Sequence, residues 1–406
     1  MNATSRSALS LLALAAVAAI VHAADTPAPA ASRAIATVAG MPPVIDPNNL
    51  YSETAGPGHV SPALKDDLVR VYVPNLRGNS VSVIDPAQMK VVDTFKVGLS
   101  PQHVVVGYDL RTLWAANNAE RSNAGSLTPI DPRTGKPGKA IPVDDPYNMY
   151  FTPDGKSAIV VAEARHRLDF RDPKTMALQY SIDAPKCGGI NHADFSIDGK
   201  TAFFTCEFDG SIAKIDLVER KVAGYLVLPM PSTRLKDKFV AAGGPTTEVC
   251  TSRKGMPQDI RFSPDGRKLY VADMEADGVH VIDAASFKET AFITTGVAAH
   301  GLYPSRDARY LYVTNRGNGT ITLISFATRK IAATWRIPGG GSPDMGNLSP
   351  DGKVFWVSGR YDNVVYGIST ANGHLLARIP VGPQPHGLCV WPQPGRYSLG
   401  HTGITR

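Results

Sequence analysis

The sequence predicts an all-β chain, a seven-bladed β-propeller of four-stranded antiparallel blades, on two independent counts and one shared blade. The first count is of strands. A unit recurs along the chain: a turn rich in Gly and Pro, a polar residue, an apolar stretch, Pro-Asp-Gly, an alternating run, a loop, and an alternating run ending in Ile-Asp. Asp-Gly between alternating runs marks a hairpin, because Gly accepts the positive φ of a tight turn. It occurs at Asp154-Gly155, Asp198-Gly199, Asp265-Gly266 and Asp351-Gly352, with Asp109 and Asp307 in the same place without the Gly. Each unit reads as strands a to d, from the inside outward. The c strands end at Asp85, Asp131, Asp172, Asp216, Asp283, Ser325 and Ser369, which makes seven.

The second count is of the residue that opens strand a: His103, Asn148, His192, Asp259, His300, Asp344 and His386. Their separations are 45, 44, 67, 41, 44 and 42 residues, a period near 43 with one insertion. A repeat of this length means stacked supersecondary units rather than two domains, although length alone would suggest two. The third observation is closure. The last strand a lies at His386 to Trp391, and its partners are supplied by Val69 to Val73, Ser80 to Asp85 and Val91 to Val97. The N- and C-terminal strands share one blade, which closes the ring and protects its edges.

The run Leu311-Tyr312-Val313-Thr314-Asn315 resembles the signature of the YVTN propeller family, with degenerate copies at Leu113 to Asn117, Ala202 to Cys206 and Phe355 to Gly359. The resemblance covers about Val69 to Pro392. It implies the propeller fold and leaves function open, since propellers of this general shape include surface-layer repeats, lactonase-like enzymes and the haem-d1-binding propellers of periplasmic nitrite reduction. No motif carries a haem ligand over, and Cys-x-x-Cys-His is absent, which excludes covalent c-type haem.

Residues 1–23 carry Arg6, the apolar run Ala8 to Val21 and Val-His-Ala before Ala24, the pattern of a signal peptide. The apolar run is short for a membrane span, which takes about 20 residues. The expectation is a periplasmic or secreted protein with no membrane span in the mature chain. Residues 24–66 read as an Ala/Pro-rich flexible lead-in, and 67–406 as the propeller, with an insertion at 229–255 suited to a lid or a decoration. The formal charge of +6 comes from dispersed Lys and Arg, so nucleic acid is not expected as a partner.

Chemistry is expected at one mouth of the central channel, where the seven openers and the b-to-c loops converge. Four histidines and two aspartates supply metal-ligand or acid/base groups, and a subset of His103, His192, His300 and His386 is a candidate transition-metal site. The plain alternative is a wet channel lined by hydrated polar residues. The b-to-c loops add Arg77, Arg121, Arg165, Arg167, Arg316 and Arg360. Arg316 and Arg360 hold equivalent repeat positions from which guanidinium groups would overhang the rim and clamp a carboxylate or phosphate, or simply pair with Glu163 and Glu207. Of the cysteines, Cys187 and Cys206 are brought together by antiparallel pairing and are the first choice for a disulfide, Cys250 competes for either, and Cys389 is buried and unpaired. No hydrolase elbow, phosphate loop or dinucleotide fingerprint occurs. Three functions stay open: a scaffold that binds a small ligand, metal or partner protein at the mouth; an enzyme there, either a metal- or haem-associated oxidoreductase or a lactonase-like hydrolase; and an envelope or adhesion scaffold.

Overall fold

The computed structural model describes residues 1, 35–54, 59–120, 122, 124–232, 254–401 and 403–406. The expected signal peptide beyond Met1, the first part of the lead-in, most of the insertion with Cys250, and Arg121 lie outside them.

Seven antiparallel sheets form the blades. Blade 1 holds Arg70–Asn75, Ser80–Asp85 and Lys90–Lys96, with Cys389–Trp391 as its innermost strand. Val71 pairs with Val390 and Tyr72 with Cys389, so the ring closes by shared ends as expected. Blades 2 to 7 begin with strands a at Pro101–Val106, Pro146–Phe151, Ile190–Phe195, Pro257–Phe262, Ala299–Pro304 and Pro343–Leu348. The inner strands are covered on both faces by neighbouring blades, and runs such as Leu269-Tyr270-Val271-Ala272 are buried throughout. Strands d keep one face in water and alternate, as Lys90–Lys96 does. The Asp-Gly turns put Gly155, Gly199, Gly266 and Gly352 at φ between 66° and 72°, and Leu110 and Ala308 take the same left-handed conformation where Gly is missing.

Strand a is the inner edge of its sheet in every blade but the third, and buried edge N–H groups must be satisfied. Side chains of the preceding blade do this. Tyr150 Oη accepts from Ala193 N at 2.8 Å, Asp194 Oδ2 from Phe262 N at 2.9 Å, Asp259 Oδ2 from Leu302 N at 2.9 Å, and Tyr303 Oη from Gly346 N at 2.7 Å. Polar residues on strand a thus stitch blade to blade around the channel.

Two segments depart from the expectation. Residues 35–54, read as flexible lead-in, lie against the a-to-b turns: Leu50 N donates to Pro264 O at 2.7 Å, Tyr51 Oη to Phe262 O at 2.6 Å, and both side chains are buried. They form turns rather than strands, so their sequence has no period. After Trp391 the chain re-enters the propeller. Ser398–Gly400 and Ile404–Thr405 form a small hairpin that joins blade 3 through Gly400 and Tyr150, and Arg406 Nη2 reaches Asp194 Oδ1 at 3.0 Å. Cys187 and Cys206 form the expected disulfide, with Cα atoms 4.7 Å apart, and Cys389 is buried and free.

Candidate functional site

The seven openers come together, but inside the channel wall rather than on a wet rim. None is more than 2% exposed. Their rings touch across the channel: the His103 centroid lies 4.8 Å from His386 and 5.3 Å from His192. Water has little access because the hairpin after Trp391 fills part of the space and adds His401, whose ring is 4.5 Å from His192 and 5.4 Å from His103.

The arc formed by blades 2, 3 and 4 is a nest of imidazoles. His103, His192 and His401 each offer a ring nitrogen, and these atoms lie within 4.8 Å of one another. His103 Nδ1 sits 3.0 Å from the Tyr147 carbonyl and donates to it, leaving its buried Nε2 without a partner. His192 Nε2 is likewise buried and unpartnered. The Asn148 amide nitrogen lies 3.2 Å from His192 Nδ1 and 3.0 Å from His401 Nδ1, so one side chain orients both rings. Burial disfavours the charged form of all three. It pushes His103 down to about 4, and it holds His192 and His401 well below the usual imidazole range, with His401 adding to the shift at His192 and Arg261 to that at His401. These are neutral rings at pH 7.

The arc formed by blades 6, 7 and 1 is built on a carboxylate. Asp344 Oδ1 is 3.2 Å from His300 Nδ1 and 3.0 Å from Arg316 Nη1, and its Oδ2 is 3.5 Å from His386 Nε2 and 3.6 Å from Arg360 Nη1. Burial opposes ionisation of Asp344, but His300, Arg316 and Arg360 outweigh it and hold the carboxyl below the usual range. Burial also pushes His300 down to about 3 and His386 well below its ordinary value. The His300 contact is therefore between a neutral ring and a carboxylate, and the positive charge on Asp344 comes from the two guanidiniums.

Those guanidiniums neither overhang the rim nor pair with Glu163 and Glu207. They fold inward, 11% and 15% exposed, where the fully buried Asp344 charge needs a counter-charge. Glu207 accepts from Asn191 Nδ2 at 2.8 Å, and Glu163 makes no side-chain hydrogen bond or ion pair among the described residues. Burial raises both, most strongly Glu163, to which the neighbouring Glu207 adds. Of the other loop arginines, Arg77 pairs with Glu120, and Arg165 and Arg167 with Asp144.

Sequence reasoning missed His401, Tyr147 and Arg261. Arg261 Nη1 lies 2.9 Å from Asp259 Oδ1, an Asp-x-Arg spacing that places both on one face of a strand and was open to view. His401 belongs to no repeat and had no such signal.

Comparison with known proteins fits this architecture. A model of the YNCE-like beta-propellers matches residues 239–394. The chain is similar to the YNCE-like β-propellers. The uncharacterized protein YncE of Salmonella typhi is 23% identical over 297 residues, covering 70% of this chain and 75% of that one. Among solved structures, Kuenenia stuttgartiensis hydrazine synthase superposes with a TM-score of 0.60 at 21% identity, over 78% of this chain and 96% of that one. Dihydro-heme d1 dehydrogenase NirN, in complex with DHE, does so with 0.56 at 15% identity, over 79% and 75%. At these identities the solved structures share the propeller fold with this chain.

Proposed function

We propose that this is an exported binding propeller whose channel holds a late first-row transition ion on His103, His192 and His401, with a small ligand admitted at the mouth beside Arg316, Arg360, Glu163 and Glu207. The observation that carries the reading is the set of three buried, neutral imidazoles whose ring nitrogens lie within 4.8 Å of one another. Imidazole suits zinc, copper, nickel and iron, and only the deprotonated ring nitrogen is a ligand. An orphaned buried polar atom costs about 1–3 kcal/mol, and an ion between these rings would remove that cost. His103 already has the arrangement a ligand needs, with Nδ1–H on a backbone carbonyl and Nε2 free. Asn148 sets the other two. Its oxygen accepts from Met149 N at 2.8 Å, which fixes its amide nitrogen on both Nδ1 atoms and the ring protons on Nε2, so an ion bound at Nε2 would displace those protons.

The group His300, Asp344 and His386 also lies within ligand distance but does not suit a cation, because two guanidiniums already face its only charge. The signal-like residues 1–23 support export, and among the described residues no helix is long and apolar enough to cross a membrane. A second reading, an enzyme at the same place, is favoured by the donor count: three protein ligands leave a position for water or substrate, as catalytic sites do. Elemental analysis of protein exported to the periplasm and purified without chelators tests the metal. A stoichiometric transition ion, lost in the variant carrying His103→Ala and His192→Ala, is expected; metal-free protein that takes up neither zinc nor copper contradicts the reading.

A further inference from the structure

The first residues after strand b form a ring around the mouth, directly above the openers. In blades 3 and 4 they are Glu163 and Glu207; in blades 6 and 7 they are Arg316 and Arg360. Two acids therefore occupy one arc and two bases the opposite arc, with no ion pair between them. Acids and bases that ring one channel without pairing with each other are unusual, since a partly desolvated polar group is costly without a partner. The two arcs feel each other electrostatically: Arg316 and Arg360 act on the Glu207 carboxyl, and Arg360 on Glu163.

Neither arc is fully satisfied. On the basic side two guanidiniums share the single Asp344 carboxylate, an excess of positive charge, and Arg360 Nη1 is buried with no hydrogen-bond partner. Beside it the Nδ1 atom of His386, on a ring nearly fully buried, is also unpartnered. On the acidic side, among the described residues, Glu163 has no side-chain hydrogen bond or ion pair and Glu207 has only amides. A bound anion would satisfy the first set alone and a bound cation the second alone. A molecule carrying both charges satisfies the two together.

We propose that the channel mouth binds a small zwitterion of the amino-acid class, its carboxylate on Arg316 and Arg360 and its ammonium group on Glu163 and Glu207. Guanidinium recognises a carboxylate through paired N–H donors, and the two glutamates offer acceptors to an ammonium group, whose own charge favours their ionised form. The opposed arcs lie on different blades, so charges separated by a short methylene chain match them better than those of glycine. The inference does not depend on the metal site.

Calorimetric titration of metal-free protein with glycine, β-alanine, 4-aminobutyrate and 6-aminohexanoate, with butyrate and butylamine as single-charge controls, tests it. One chain length should bind best, at least about tenfold more tightly than either control, as expected when a charge-assisted pair is gained at each end. Arg360→Gln should reduce that ligand to the level of butylamine, and Glu163→Gln to the level of butyrate. Both variants should keep the wild-type circular dichroism spectrum. Butyrate binding as tightly as the best zwitterion, equal binding by both variants and wild type, or no binding by any member of the series at millimolar concentration would overturn the proposal.

Discussion

The two arcs of the channel start from the same repeat position and end with opposite character. In blades 2 to 4 the openers His103, Asn148 and His192 meet each other, Tyr147 and His401 with no guanidinium among them, and the result is a neutral nest of ring nitrogens. In blades 6, 7 and 1 the openers His300, Asp344 and His386 meet Arg316 and Arg360, and the result is a carboxylate tied to two guanidiniums. The difference comes from one position, the first residue after strand b. Glu163 and Glu207 make no contact with Asp344; Arg316 and Arg360 fold down onto it. A repeat can therefore hold its scaffold constant and change the chemistry of its channel through a single ring of loop residues.

The comparison can be broken most severely at Asp344. Asp344→Ala leaves two largely buried guanidiniums without their counter-charge, and removing one partner of a buried pair costs about 3–5 kcal/mol. Urea denaturation should show a loss of that size, whereas a change below about 1 kcal/mol would mean the arginines escape to water. Acid should act on the other arc. His103 has its folded pKa lowered to about 4, below the unfolded value near 6.5, so its neutral ring costs nothing above that value. As pH falls from about 6.5 towards 4 the unfolded chain binds the proton first, and metal-free protein should lose stability on the order of 3 kcal/mol from this ring alone. In His103→Phe the acid slope should flatten; an unchanged slope would show that the ring charges freely.

A smaller effect concerns which proton His192 and His401 carry. Asn148→Asp supplies a carboxylate that accepts from both Nδ1–H groups, and outer-shell partners of this kind are worth about 10–100-fold in metal affinity. Competition titration with a chelator should show tighter binding, and weaker binding would place the ligand atom on Nδ1 instead. The smallest effect lies outside the channel, in blade 5. There His280 sits 2.7 Å from Glu289 and 3.4 Å from Asp273, where blades 1 and 6 use Asn75 and Asn315 with Ser or Thr. Burial works against charging His280, but Asp273 and Glu289 outweigh it and raise its pKa, the reverse of the channel histidines. Its contribution is complete below the unfolded value of about 6.5 and is lost as pH rises through the folded value. Melts of Glu289→Gln against wild type should differ by about 1 kcal/mol at pH 6 and converge at higher pH; a constant difference would assign Glu289 a role that does not involve charge.

The blades were legible because their signals repeat. Asp-Gly turns, c strands ending in Asp or Ser, and a polar opener every 43 or so residues each recur, so a miss in one copy is corrected by the others. The same redundancy placed the seven openers and the equivalence of Arg316 with Arg360. It failed for His401 and for the stretch around Leu50 and Tyr51, which occur once and form turns or a two-strand hairpin with no period to read. It also gave position without burial. The openers are dry because His401 and its hairpin share the channel, and that depends on a contact between Gly400 and Tyr150 across 250 residues of sequence.

Anomalous diffraction from crystals grown with zinc or copper would compare the two arcs in a single map. A peak among His103, His192 and His401, with none at His300, Asp344 and His386, is the predicted result. A peak at the Asp344 group, or no peak at either arc in metal-saturated crystals, would contradict the assignment of the imidazole nest as the site of the ion.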